Sequence, residues 1–132
     1  MLSFKKVFLY LIVLFLYKSS SYGQAPLTMI QIQKQYGGIW IDKKTSRCLQ
    51  ITFENDSYVM ITDWTAKYQC RASGDVYKAF IKNARLVMPE DKEHHAPYSE
   101  ITVEKNKLVY RTKPNGILKS STWDKQIFTR KK

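Results

Sequence analysis

The chain has 132 residues, with 22 Lys and Arg against 11 Asp and Glu and a formal net charge of +11, a length that holds one domain and excludes most multi-domain enzymes. Aromatics make up 14% of it, nine of them Tyr, while Gly and Pro number five and four. That composition excludes a disordered, collagenous or low-complexity chain.

In chain order, Met1 to Lys6 carries two lysines and no acid, Val7 to Tyr17 is wholly apolar, and Lys18 to Gly23 is small and polar. This is the order of a secretory signal peptide, with cleavage expected after Gly23 and export to the periplasm or the cell exterior. Eleven apolar residues are too few to span roughly 30 Å of hydrocarbon comfortably, so no transmembrane anchor is expected in the mature form. Cleavage removes Lys5, Lys6 and Lys18 and no acid, and residues 24–132, read as one domain, stay strongly basic. Such a charge favours an acidic protein or an anionic glycan as partner, while export argues against nucleic acid.

Met29, Ile32 and Tyr36 fall at helical spacing and predict one or two turns. From Gly37 onward, apolar and polar residues alternate and β-branched and aromatic types dominate, which reads as strand. The expected strands are Gly38 to Lys43, Arg47 to Phe53, Tyr58 to Trp64, Val76 to Lys82, Arg85 to Met88, Tyr98 to Glu104, Lys107 to Thr112 and Thr122 to Arg130. Turn formers separate them at 54–57, 73–75 and 105–106, and two polar loops, Pro89 to Pro97 and Lys113 to Ser121, are too hydrophilic to bury. Eight or nine short strands at this spacing predict an all-β barrel or sandwich.

The two cysteines, Cys48 and Cys70, predict one structural disulfide in an oxidising compartment, worth on the order of 3 kcal/mol. Alternate strands of a flat meander lie about 9.6 Å apart, beyond disulfide reach. The pairing therefore requires the segment from Ala66 to Ala72 to be short or bent.

Gly38-Ile39-Trp40 opens the first strand just after the helical turn, and Arg130 closes the last. This pattern resembles the lipocalins and the wider calycin group. The resemblance implies an antiparallel up-and-down barrel, with Trp40 packed across its closed end and Arg130 laid over the indole. A large apolar ring, a glycine that lets backbone pass closely and a guanidinium on the ring face make physical sense together. Thr62-Asp63-Trp64 resembles a second motif of that family but lies much nearer the first than the family places it. The chain is also shorter than a typical lipocalin, nearer to small lipocalin-like domains of exported bacterial proteins.

No Gly-x-Ser-x-Gly, phosphate-binding loop, His-Glu-x-x-His or reactive single Cys is present. No catalytic residue, cofactor or metal is therefore assigned. Glu90, Asp91, Glu93, His94 and His95 form the densest titratable set and read as a solvated loop, since adjacent His on an extended chain point apart. Asp63 and Asp124 could pair as acids only as any two barrel carboxylates could. Alternation places Leu49, Ile51, Phe53, Val59, Ile61, Tyr77, Ala79, Ile81, Ile101, Val103, Leu108, Tyr110, Trp123 and Ile127 inward. Of these, Phe53, Ile61, Tyr77, Ile81, Tyr110 and Trp123 are the candidate ligand-lining residues. The functional expectation is a secreted barrel that binds an apolar small molecule. The alternative is a basic interaction or inhibitor protein that meets an acidic partner through its loops.

Overall fold

The computed structural model describes residues 27–114 and 122–132. The expected signal peptide and most of the loop from Lys113 to Ser121 lie outside the described residues. Helix α1 (Met29–Tyr36) begins at a capping box. The Thr28 hydroxyl accepts the Gln31 N–H, and the Gln31 side chain accepts the Thr28 N–H at 2.9 Å, so two otherwise orphaned donors are satisfied reciprocally. The helix buries Ile32 and Tyr36 and ends at Gly37, whose N–H donates to the Gln33 carbonyl.

Eight strands follow: β1 (Gly38–Asp42), β2 (Arg47–Phe53), β3 (Tyr58–Thr65), β4 (Asp75–Lys82), β5 (Arg85–Met88), β6 (Ser99–Glu104), β7 (Lys107–Thr112) and β8 (Asp124–Arg130). Each pairs antiparallel with the next, and β8 returns to β1, so the sheet closes into an up-and-down barrel. The helical turn and the all-β meander read from the sequence are both present. Closure removes the exposed edges that make open sheets prone to aggregation.

The two ends are built differently. At one end the connections are tight. Asn55 folds its own turn by accepting the N–H groups of Ser57 and Tyr58, and the pairs Asn83–Ala84 and Lys105–Asn106 take left-handed backbone at both positions, the geometry that matches hairpin twist. The opposite end carries the turn 43–46 and the longer connections 66–74 and 89–98.

Inward side chains fill the space between the ends. Leu49, Ile51, Val59, Ile61, Ala79, Leu86, Met88, Ile101, Leu108 and Phe128 are buried in one cluster with Ile32, Tyr36 and Trp40, and Phe53, Tyr77, Ile81, Val103 and Tyr110 pack against it. Two inward expectations are corrected. Ile127 is 46% exposed and Trp123 is 37% exposed. In Thr122 to Arg130 the apolar Trp and Ile share one parity, but Phe128 takes the interior, together with Gln126 on the same face, and turns Ile127 outward.

The disulfide is also corrected: Cys48 and Cys70 are both free thiols. Cys48 sits opposite Trp64 on β2 and is fully buried, its Sγ near the Ser46 carbonyl. The expected bend beyond Trp64 does occur, as a turn at 66–68 followed by a 3-10 turn at Arg71–Ser73. The 3-10 turn sets the exposed Cys70 Sγ against the Ser73 hydroxyl at 3.6 Å. Gly74 approaches the outer side of β3 instead, where an added Cβ would lie 2.9 Å from the Trp64 Cβ.

Candidate functional site

The closed end is assembled around Trp40. Its indole N–H donates to the Tyr36 carbonyl at 2.9 Å, and Tyr36 in turn donates its hydroxyl to the Ala84 carbonyl at 2.7 Å. The helix is thereby tied to both β1 and the β4–β5 turn. Burial pushes the Tyr36 phenol up to about 12.

Arg130 is the register partner of Trp40. Its guanidinium carbon stands 4.2 Å from the indole centroid, while its N–H groups donate to the carbonyls of Lys34, Gln35 and Gly37. One cation therefore covers the ring and satisfies the last carbonyls of α1, where the helix dipole favours positive charge. Gly38, at φ +110°, leaves room for that guanidinium, because an added Cβ would lie 3.1 Å from an Arg130 Nη. This is a structural lid with every polar partner internal to it.

The open end holds a polar cluster on inward positions of six strands. Arg47 at the start of β2 forms a two-pronged pair with Asp63, Nε to Oδ1 at 3.0 Å and Nη2 to Oδ2 at 2.7 Å. Its third nitrogen donates to the Gln126 carbonyl oxygen at 2.6 Å. Gln126 passes the contact on, its amide N–H donating to the Asp42 carboxylate at 2.8 Å and to the Thr45 hydroxyl at 3.2 Å. Tyr77 donates to the second Asp63 oxygen at 2.7 Å, and the Tyr77 and Tyr110 hydroxyls meet at 3.4 Å. The Arg47 guanidinium also lies over the Tyr110 ring, 4.8 Å from its centroid, with the Phe128 ring at 5.7 Å.

The electrostatics follow from burial and pairing. Burial works against the Arg47 charge, but the hydrogen bonds and charge of Asp63 outweigh it and hold the guanidinium firmly protonated. Burial, reinforced by Tyr110 and Asp63, raises the Tyr77 phenol well above its ordinary value, so it acts as a donor. The Gln126 amide, with help from Thr45 and Lys44, holds the Asp42 carboxyl below the usual range. Among the described residues, no buried side-chain nitrogen or oxygen lacks a hydrogen-bond partner.

The cluster also has a mechanical task. The ladder between β1 and β8 covers only Trp40 with Arg130 and Ile41 with Thr129, whereas β2 and β3 pair over the full length of β2. Where that short ladder ends, the side chains of Gln126, Asp42, Thr45 and Arg47 hold the seam together.

The sequence-based candidates do not converge on one site. Ile61 is buried in the middle of the core. Phe53 and Ile81 lie toward the closed end, Tyr77 and Tyr110 toward the open end, and Trp123 stands at the open rim with its ring edge-to-face on Tyr98, 5.9 Å between centroids. The residues that sequence reasoning passed over are Arg47, Gln126 and Asp42. Arg47 shares its parity with Leu49, Ile51 and Phe53, and Asp63 shares its with Val59 and Ile61, so the alternation that found the core could have flagged them as inward charges of opposite sign.

Asp63 does not pair with Asp124, which is exposed. In the loop 89–98, Asp91 bridges Ala96 and accepts from His94 Nδ1 at 2.7 Å, and the ligand atoms of Asp91, Glu93 and His94 lie within 4.8 Å of one another. All three are exposed and tied within their own turn, as a solvated acidic loop would be. No helix among the described residues is long and apolar enough to cross a membrane. Compared with models of protein families, with curated proteins and with solved structures, the chain matches none.

Proposed function

We propose that this chain is a lipocalin-like binding module, exported through residues 1–23, that holds a small molecule at the open end of its barrel. The observation that carries the reading is the asymmetry between the ends. One is sealed by α1, Trp40 and Arg130, and the other turns Arg47, Tyr77, Tyr110 and Gln126 toward a mouth bordered by the longer connections. The Trp40 and Arg130 geometry supports the lipocalin-like assignment, since the guanidinium lies over the indole as the resemblance implied.

The filled interior sets the class of ligand. Below Tyr77 and Tyr110 the space is taken by Leu49, Ile61, Leu86, Ile101 and Phe128, so a long apolar chain has no depth to enter. A short amphiphile fits the mouth better. Its polar end would meet Arg47 or the Tyr110 hydroxyl and its apolar body would lie across Tyr98 and Trp123, aromatic rings that supply contact area beside polar tips. The test is native mass spectrometry of the protein purified from its own host, set against the denatured mass. A non-covalent adduct lost on denaturation, and absent from an Arg47→Gln variant, is the expected result. A bare mass from the native host would overturn the reading.

The filled interior also favours a second reading, a protein that acts through its outer surface. The loop from Pro89 to Pro97 is not suited to an acidic partner, because it sets Glu90, Asp91 and Glu93 against Lys92 and the two histidines. A basic surface elsewhere on the barrel has to serve that purpose.

A further inference from the structure

We propose that the outer groove over the β1–β8 seam is a binding surface for an acidic polysaccharide, independent of the barrel mouth. The groove is lined by Ile41, Lys43, Thr129, Arg130, Lys131 and Lys132. No acidic side chain contributes to it, and Lys43, Lys131 and Lys132 form no salt bridge with any described residue. The Arg130 guanidinium is already committed to Trp40 and to three helix carbonyls. Three exposed lysines therefore supply the free charge.

The seam geometry decides what kind of polyanion fits. A partner strand has no edge to extend here, because β1 and β8 pair with each other, the Lys131 N–H donates to the Ile39 carbonyl, and Gln126 clasps the turn beyond. An acidic protein would also need an apolar or aromatic anchor at the centre of its interface, and Ile41 is the one large apolar side chain in the groove. What remains is an open channel of flexible point charges without fixed fork geometry. Such a surface suits a chain of regularly spaced anions. The turn that carries Lys43 and Lys44 is bonded to the next connection, with Ser46 accepting the N–H groups of Ala66 and Lys67. This sets the connection that bears Lys67 beside the turn that bears Lys43 and Lys44.

The test is retention of the protein, purified from cells expressing the full chain, on immobilised heparin across a salt gradient. Replacing Lys43, Lys131 and Lys132 together by Gln should weaken binding at least about ten-fold, and raising the salt should weaken it further. The control replaces Lys82, Lys92 and Lys105, which are exposed on β4, on the acidic loop and in the β6–β7 turn, away from the seam. It removes the same charge and should change binding less than about two-fold. Both triple variants replace solvated side chains, and thermal unfolding should not move. Equal losses in the two variants would overturn the proposal in favour of bulk charge. Absence of retention at low salt would overturn it outright, and tighter binding to poly-glutamate than to heparin would assign the groove to an acidic protein.

Discussion

Arg130 and Trp40 face each other across the short β1–β8 ladder, and the guanidinium that covers the indole also terminates α1. The side chain thus joins three elements far apart in sequence. Arg130→Ala should cost about 1–3 kcal/mol, the sum of a cation–π contact and lost hydrogen bonds at a helix end. Arg130→Lys should fall between, because an ammonium keeps the charge but not the fork. Urea unfolding followed by tryptophan fluorescence checks both. Gly38→Ala should also destabilise, through left-handed backbone strain and the close Arg130 nitrogen. Combined with Arg130→Ala it should cost less than the sum, since removing the guanidinium relieves the contact but not the strain.

At the open end, the Arg47–Asp63 pair is 27% and 16% exposed, so its worth lies below that of a fully buried pair. Asp63→Asn should cost about 2 kcal/mol, because Arg47 cannot shed its proton and is left charged against Tyr110 and Phe128. Arg47→Gln should cost less. The stranded Asp63 keeps the Tyr77 donor. A double-mutant cycle in urea should give a coupling of about 1 kcal/mol or more, and a coupling near zero would show that the pair does not hold the mouth.

Much of this arrangement was legible in the sequence, for identifiable reasons. Alternation placed Leu49, Ile51, Val59, Ile61 and Leu108 inside because one buried face forces period two, and the spacing of Ile32 and Tyr36 marked the helix. Trp123 and Ile127 misled because the last strand carries apolar residues on both parities, and only closure against β1 selects Phe128. Arg47 and Asp63 were hidden as a site because each, read alone, is an ordinary strand-end charge. Their pairing depends on the β2–β3 register, which sets Leu49 opposite Asp63 and brings Arg47 within reach. The disulfide was read from compartment and count, neither of which specifies where a side chain points.

Two tyrosines should titrate late. Tyr36 is raised from 10.0 to about 12 by burial, and Tyr77 is raised further by burial and its acidic neighbours. A phenol whose folded value exceeds its unfolded one contributes stability that is complete below pH 10 and is lost as pH rises through the folded value. The fold should therefore hold up to about pH 10 and weaken steeply beyond it. The phenolates of Tyr36 and Tyr77 should appear in the absorbance only as circular dichroism reports loss of the sheet. Ionisation of Tyr36 and Tyr77 near pH 10.0 with the sheet intact would contradict their burial.

The thiols give the sharpest check on the fold's outer layer. Cys70 is exposed, and hydrogen bonds from the Ser73 hydroxyl and backbone lower its pKa. Cys48 is buried against the Ser46 carbonyl with its pKa raised, chiefly by desolvation. Thiolate is the reacting form. A charged alkylating reagent at neutral pH should therefore modify one thiol quickly, at Cys70, and leave Cys48 untouched until denaturant is added. The intact mass of the untreated protein should carry both thiol hydrogens. Cys70→Ser should leave the unfolding midpoint unmoved, as a surface change does, whereas Cys48→Ser buries a hydroxyl in place of a thiol and should cost about 1–2 kcal/mol. A mass short by two hydrogens, or equal loss of stability in both variants, would place a crosslink between the β2 wall and the loop before β4, and the outward turn of Cys70 would be wrong.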